Sequence, residues 1–198
     1  GYRSAELEYA LNKVECRALI SSDRFKSTDY IAILREVAPE ADHCTPGALH
    51  ATRLPYLRTL IHFADSDEPG YFRFGDIPAL ATPEDHARLH ALSGVLQPDD
   101  PINIQFTSGT TGAPKAATLT HHGLINNAHI IGLGDGYRQG DRLGNPFPLY
   151  HVGGMVVGSI MGIVLGVTAV YLGEAFDPLA ALETIQAERC TQFCGAPA

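Results

Sequence analysis

Between Val152 and Leu172 the chain carries no charged residue, and Gly154, Gly158, Gly162 and Gly166 recur at every fourth position. A run of that length can cross a bilayer, and small residues at this spacing are the pattern of closely packed membrane helices. Three features place it instead inside a soluble α/β domain. Gly166 can end a helix, Val167 to Tyr171 is β-branched and strand-like, and no Lys or Arg flanks the run. The expectation is a buried helix of about fourteen residues, too short for a span, with its glycine face close to other backbone. A strand follows it, and no transmembrane span is expected.

The remaining chain alternates in the same manner. Ser4 can cap a helix with Leu7, Leu11 and Val14 on one face, and Cys16 to Ile20 reads as a short buried strand. Ser27 or Thr28 can cap a second helix, in which Tyr30, Ile31, Leu34 and Val37 form the apolar face and Pro39 the stop. Residues 42–56 read as loop and Thr59 to Phe63 as strand. Thr82, Pro83, Glu84 and Asp85 combine an N-cap, a first-turn proline and first-turn acids, so a helix should run to Leu92. Ile102, Ile104 and Phe106 alternate as a buried strand; Ala116 to Leu119 is strand again, with Thr120 capping a helix through Ile131. Asp177-Pro178 opens a helix with Leu179, Leu182 and Ile185 inside, and Thr191 to Cys194 closes as a strand. Strands and helices in this order predict an α/β fold, mostly parallel sheet layers with flanking helices and right-handed crossovers.

Charge limits the partners. Fourteen Lys and Arg against 22 Asp and Glu give a formal charge of -8, which leaves no broad basic surface for a nucleic-acid backbone. A single nucleotide is not excluded, because backbone amides and one lysine can hold phosphates whatever the net charge. Cys16, Cys44, Cys190 and Cys194 have neither the density of a disulfide scaffold nor a CxxC pair. They read as reduced, mostly buried thiols. The chain starts at Gly1-Tyr2-Arg3 without Met and stops after Gly195-Ala196-Pro197-Ala198, so both ends read as cut. No signal peptide is legible, and a removed targeting segment would leave no trace.

The chemistry concentrates in Thr107-Ser108-Gly109-Thr110-Thr111-Gly112-Ala113-Pro114-Lys115. Two glycines let amide hydrogens converge on an anion. Hydroxyls and one ammonium complete a set suited to the triphosphate of ATP and to departing pyrophosphate. It is not a GxxxxGK[ST] loop: Lys115 follows Pro114 and precedes Ala116, which removes the usual magnesium hydroxyl. A plain Gly/Thr surface turn has no need of this ordered set directly after a strand.

With Ile104-Gln105-Phe106 before that run and Thr118-Leu119-Thr120-His121 after it, the segment resembles the signature of the adenylate-forming superfamily, which includes acyl-CoA synthetases, luciferases and peptide-synthetase adenylation domains. The likeness extends over nearly the whole chain: Tyr2-Arg3, Glu6-Leu7 and Tyr9 to Leu11 resemble the preceding helix of acyl-CoA synthetases. Asp100 to Phe106 is most similar to their medium-chain group. The resemblance implies that Thr107, Ser108, Gly109, Thr110, Thr111, Gly112 and Lys115 hold ATP phosphates. It implies that Tyr150 and His151, within Pro148-Leu149-Tyr150-His151, border the carboxylate substrate, and that Gly195-Ala196-Pro197 begins the floor of an acyl pocket. Ala116 stands where the family usually has Gly. Residues 1–198 are then an incomplete N-terminal AMP-binding domain, with the magnesium and ribose ligands and the catalytic lysine of a small C-terminal domain expected beyond Ala198.

The same resemblance implies a fatty acid-CoA ligase using ATP, Mg2+ and CoA, cytoplasmic or in the mitochondrial matrix if eukaryotic, with the fragment inactive alone. No catalytic residue is assigned within the chain, and its oligomeric state is not legible. A non-catalytic nucleotide-binding module and a ligase for an aryl acid are the alternatives. Other signals are weaker. Gly132-Leu133-Gly134-Asp135-Gly136 follows a helix where a dinucleotide fingerprint needs a strand, so it reads as a helix end. His86 and His90, four apart, lack a third metal ligand. His121 fits the family motif as a structural partner of the loop, and His122 has no assigned role.

Overall fold

The computed structural model describes residues 3–107, 114–173 and 175–195. Two compact units divide the chain, one ending at Val95 and the other beginning at Leu96.

In the first unit, α1 (Ser4–Lys13) is capped one residue earlier than expected. Arg3 is the N-cap, its backbone N–H donating to Glu6 Oε2 at 2.9 Å, while the Ser4 hydroxyl bonds the Glu36 carboxylate. Strand β1 (Ala18–Ser21) is followed by a small antiparallel pair, β2 (Arg24–Phe25) and β3 (Thr28–Asp29). The cap of α2 (Tyr30–Val37) is Asp29, the last residue of β3, whose Oδ1 accepts from Ala32 N at 2.9 Å. Neither Ser27 nor Thr28 caps it. Ile31, Leu34 and Val37 are buried as the periodicity predicts. Strands β4 (Thr59–His62) and β5 (Tyr71–Arg73) complete a parallel sheet of order β1-β4-β5. Leu34, Val37, Leu49, Leu54, Leu57 and Leu60 form its core. His62 lies in that interior, with Nδ1 3.0 Å from Asp23 Oδ1. Helix α3 (Pro83–Leu92) has the expected N-cap at Thr82, which forms a capping box with Asp85, and buries none of its residues.

In the second unit, β6 (Pro101–Thr107) and β7 (Lys115–Thr120) form an antiparallel hairpin, not two strands of a parallel layer. Thr120 Oγ1 accepts from Gly123 N at 3.0 Å and starts α4 (His121–Gly134). Strand β8 (Arg142–Asn145) has no β-branched residue, which is why the sequence did not reveal it. The uncharged run then folds as a π-helix, Gly153–Ile160, continued by α5 (Met161–Leu165). Gly166 stops it in the left-handed region at φ 69°, and β9 (Thr168–Tyr171) follows. Among the described residues no helix is long and apolar enough to cross a membrane.

Helix α6 (Pro178–Ala187) starts where Asp177 accepts from Ala180 N at 2.7 Å, and β10 (Gln192–Phe193) closes a parallel sheet of order β10-β8-β9. Of the expected apolar face of α6 only Ile185 turns inward. Ala181 is buried and Ile185 half-buried, whereas Leu179 and Leu182 are 66% and 65% exposed. Only the Ala181 and Ile185 row, one helical turn apart, packs against Val170, Leu172 and Cys190. The four cysteines are free thiols and half-buried, less enclosed than expected.

Candidate functional site

The expected phosphate loop belongs to the β6–β7 hairpin. Its register pairs Phe106 with Ala116 and Thr107 with Lys115, so the last described pair before residues 108–113 sets a hydroxyl opposite an ammonium. Both side chains are exposed. Ser108, Gly109, Thr110, Thr111 and Gly112, the rest of the predicted set, lie outside the described residues. Ala116, where a glycine is usual in the resembling family, sits half-buried in the ladder.

Over Ile102 to Gln105 the faces of β6 are reversed, whereas Phe106 is half-buried. Ile102 and Ile104 are 46% and 43% exposed, and Asn103 and Gln105 are half-buried. The two carboxamides point at one sulfur: Asn103 Nδ2 lies 3.7 Å and Gln105 Nε2 3.8 Å from Met155 Sδ. A thioether is a weak acceptor, yet this contact ties the strand entering the loop to the π-helix. Met155 in turn donates its backbone N–H to the His151 carbonyl at 2.9 Å. Met155 thus joins the strand that leads to Thr107 with the turn that carries His151.

Tyr150 and His151 occupy the turn before the π-helix. Tyr150 is 83% exposed, and His151 is exposed too, so it is not a histidine satisfied in the core. His151 Nδ1 accepts from Gly153 N at 3.0 Å, which puts the proton on Nε2 in the neutral ring. Gly154 makes the turn possible: a Cβ there would stand 2.2 Å from the Pro148 carbonyl oxygen. Neither Met155 nor Asn103 had a sequence signal as a linking residue. Asn145, the polar residue that closes β8, was equally hidden.

The weaker metal candidates gain nothing. His86 and His90 are exposed on α3, and among the described residues no group of three or more His, Cys, Asp or Glu is placed to hold a metal ion. His122 Nδ1 lies 3.1 Å from Asp99 Oδ1, and the His121 backbone N–H donates to the Asp100 carbonyl at 3.4 Å. These contacts anchor the start of α4. Gly195 is described, while Ala196 and Pro197 of the expected pocket floor lie outside the described residues.

Residues 1–198 match the family model described as AMP-binding enzyme. The chain is 41% identical over 198 residues to the mitochondrial medium-chain acyl-CoA ligase of Danio rerio, covering 99% of this chain and 32% of that protein. Against the mitochondrial medium-chain acyl-CoA ligase of Homo sapiens it is 40% identical over 201 residues, with the same coverage of 99% and 32%. The chain therefore spans about a third of the length of these curated relatives. The fold is similar to that of the anthranilate CoA ligase AuaEII, whose crystal structure contains anthranoyl-AMP. The TM-score is 0.73 at 20% identity, over 97% of this chain and 33% of that one.

Proposed function

Because this chain belongs to the AMP-binding enzyme family, we propose that the protein containing it is an ATP-dependent fatty acid-CoA ligase and that its β6–β7 hairpin holds the phosphates of ATP. The observation that carries the reading is the hairpin register. Thr107 and Lys115 face each other across the two strands that lead into and out of a sequence rich in Gly, Thr and Ser.

In the proposed reaction a carboxylate oxygen attacks the α-phosphorus of ATP. The bond from that phosphorus to the bridging oxygen breaks, and pyrophosphate leaves with the bond electrons. The thiol of CoA then attacks the acyl carbon of the mixed anhydride, and AMP departs with its oxygen. Lys115 and the neighbouring amides and hydroxyls offset charge that accumulates on the β- and γ-phosphates, and such preorganised donors act most strongly where charge develops. Tyr150 and His151 border the carboxylate, with His151 Nε2–H as the donor that orients it. The magnesium of such a reaction would neutralise phosphate charge, and its donors are proposed to lie outside this chain, as is the lysine that organises the α-phosphate. This chain alone is proposed not to turn over. A medium-chain fatty acid is the proposed substrate, supported by the names of the curated relatives, and the cytoplasm or mitochondrial matrix the proposed location.

The test is exchange of labelled pyrophosphate into ATP by the full-length protein, across fatty, aryl and amino acids, with Lys115→Ala beside it. Exchange that requires a medium-chain fatty acid and collapses in Lys115→Ala is the expected result. Exchange with aryl acids alone would replace the substrate class. ATP binding without exchange on any acid would leave a nucleotide-binding module and end the ligase reading.

A further inference from the structure

Asn145 ends β8 with 2% of its surface exposed, inside an otherwise apolar region, and no step proposed above uses it. Its Oδ1 accepts from Phe147 N at 3.0 Å, and its Nδ2 faces the Gly154 carbonyl at a long 3.5 Å. The surroundings are cut to fit this carboxamide. A Cβ on Gly158 would stand 1.9 Å from Asn145 Nδ2, and one on Gly154 would strike the carbonyls of Pro148 and Phe147 at 2.2 and 2.7 Å. Ordinary residues at these two positions would push the helix off both the strand end and the turn.

The contacts close a circuit. Ser159 Oγ donates to the Gly154 carbonyl at 3.2 Å, and the Tyr171 hydroxyl, 3.0 Å from Ser159 Oγ, completes the chain as donor to it. Tyr171 is the register partner of Asn145 across β8 and β9. The helix between them is wound one residue wider than an α-helix, with the Met161 N–H bonding the Val156 carbonyl. Such π-turns are uncommon and concentrate at functional sites. Here the wide winding is held from both strands, and its first turn carries the carbonyl bond and the imidazole bond of His151.

We propose that Asn145 is a positioning residue that fixes the Pro148–His151 turn against the π-helix, and so sets the affinity for the carboxylate without acting on ATP; this rests on the functional reading above. The hydroxyl of Tyr171 supports the same circuit from its far end.

Two measurements on the full-length protein test it. In steady-state exchange with octanoate as the probe, Asn145→Ala should raise half-saturating octanoate about tenfold, a factor within reach of misplacing a binding group by a fraction of an ångström, while half-saturating ATP moves less than about twofold. Tyr171→Phe, which keeps the packing and removes one hydroxyl, should act in the same direction by about two- to threefold. Equal losses toward both substrates, or none, would overturn the proposal. If Asn145→Ala does not fold, an unchanged octanoate dependence in Tyr171→Phe overturns it. Hydrogen exchange provides a readout independent of turnover: in either variant the amides of Phe147, Gly153 and Met155 should lose protection while those of Ala116 to Leu119 keep theirs. Unchanged protection at the first three sinks the positioning role even if the protein proves to have no ligase activity. An enzyme inactive with every acid but with these amides loosened would sink the functional reading alone.

Discussion

Thr107 and Lys115 stand opposite each other as the last described pair of the β6–β7 hairpin. A lysine so placed, exposed and without an ion pair among the described residues, is held there by its backbone ladder rather than by its own contacts. Lys115→Ala should therefore leave the unfolding midpoint within about 1 °C of the parent, as exposed substitutions do. It should weaken ATP in the exchange assay by about 10–100-fold, the order expected for one charged phosphate contact. Thermal melts and ATP titrations of the same preparation check both halves.

Gly70 and Gly134 should answer oppositely to alanine. Gly70 has φ 78°, and a Cβ there would sit 2.2 Å from the Ala41 carbonyl oxygen, a backbone atom that cannot swing aside. Gly134 ends α4 with nothing within 4 Å of a built Cβ. Urea unfolding should find Gly70→Ala less stable by ~2 kcal/mol or more. Gly134→Ala should be neutral to about 1 kcal/mol more stable.

Acid should loosen the second unit through Asp141. Its carboxylate accepts from the Arg138 backbone N–H and from Thr191 Oγ1, both at 2.8 Å, and these bonds, the backbone one foremost, hold its pKa below the ordinary aspartate value. A carboxyl with a lowered folded pKa contributes stability that is present above the unfolded value and disappears as pH falls through the folded one. The carboxyl resonance of Asp141 should thus titrate below that of a model peptide. Asp141→Asn should flatten the fall in stability below about pH 4; an unchanged slope would show that Asp141 contributes nothing to it.

Burial raises the pKa of all four thiols, Cys16, Cys44, Cys190 and Cys194. Since only the thiolate is nucleophilic, iodoacetamide at pH 8 should alkylate the native protein more slowly than the urea-unfolded one at every cysteine. A fast native cysteine would mark an opened core.

Much of the architecture was legible because it is local. Thr82 with Pro83 and Asp85, Thr120 before α4, Asp177 before α6, and Gly166 after the uncharged run are start and stop signals written in side-chain and backbone chemistry, and each operates where it stands. The run from Thr107 to Lys115 stands out in the sequence as donors crowded into consecutive positions.

Tertiary structure decided which faces meet. Leu179 and Leu182 promise an inward stripe on α6, yet the sheet takes Ala181 and Ile185. Ile102 and Ile104 turn outward so that Asn103 and Gln105 can reach Met155. Asn145 gains its role only when β8, β9 and the π-helix close around it. Hydrophobicity and capping are properties of a residue and its near neighbours, and sequence alone determines them. The direction of a face and the partner of a buried carboxamide depend on residues far along the chain, and only packing selects among the arrangements that local chemistry allows.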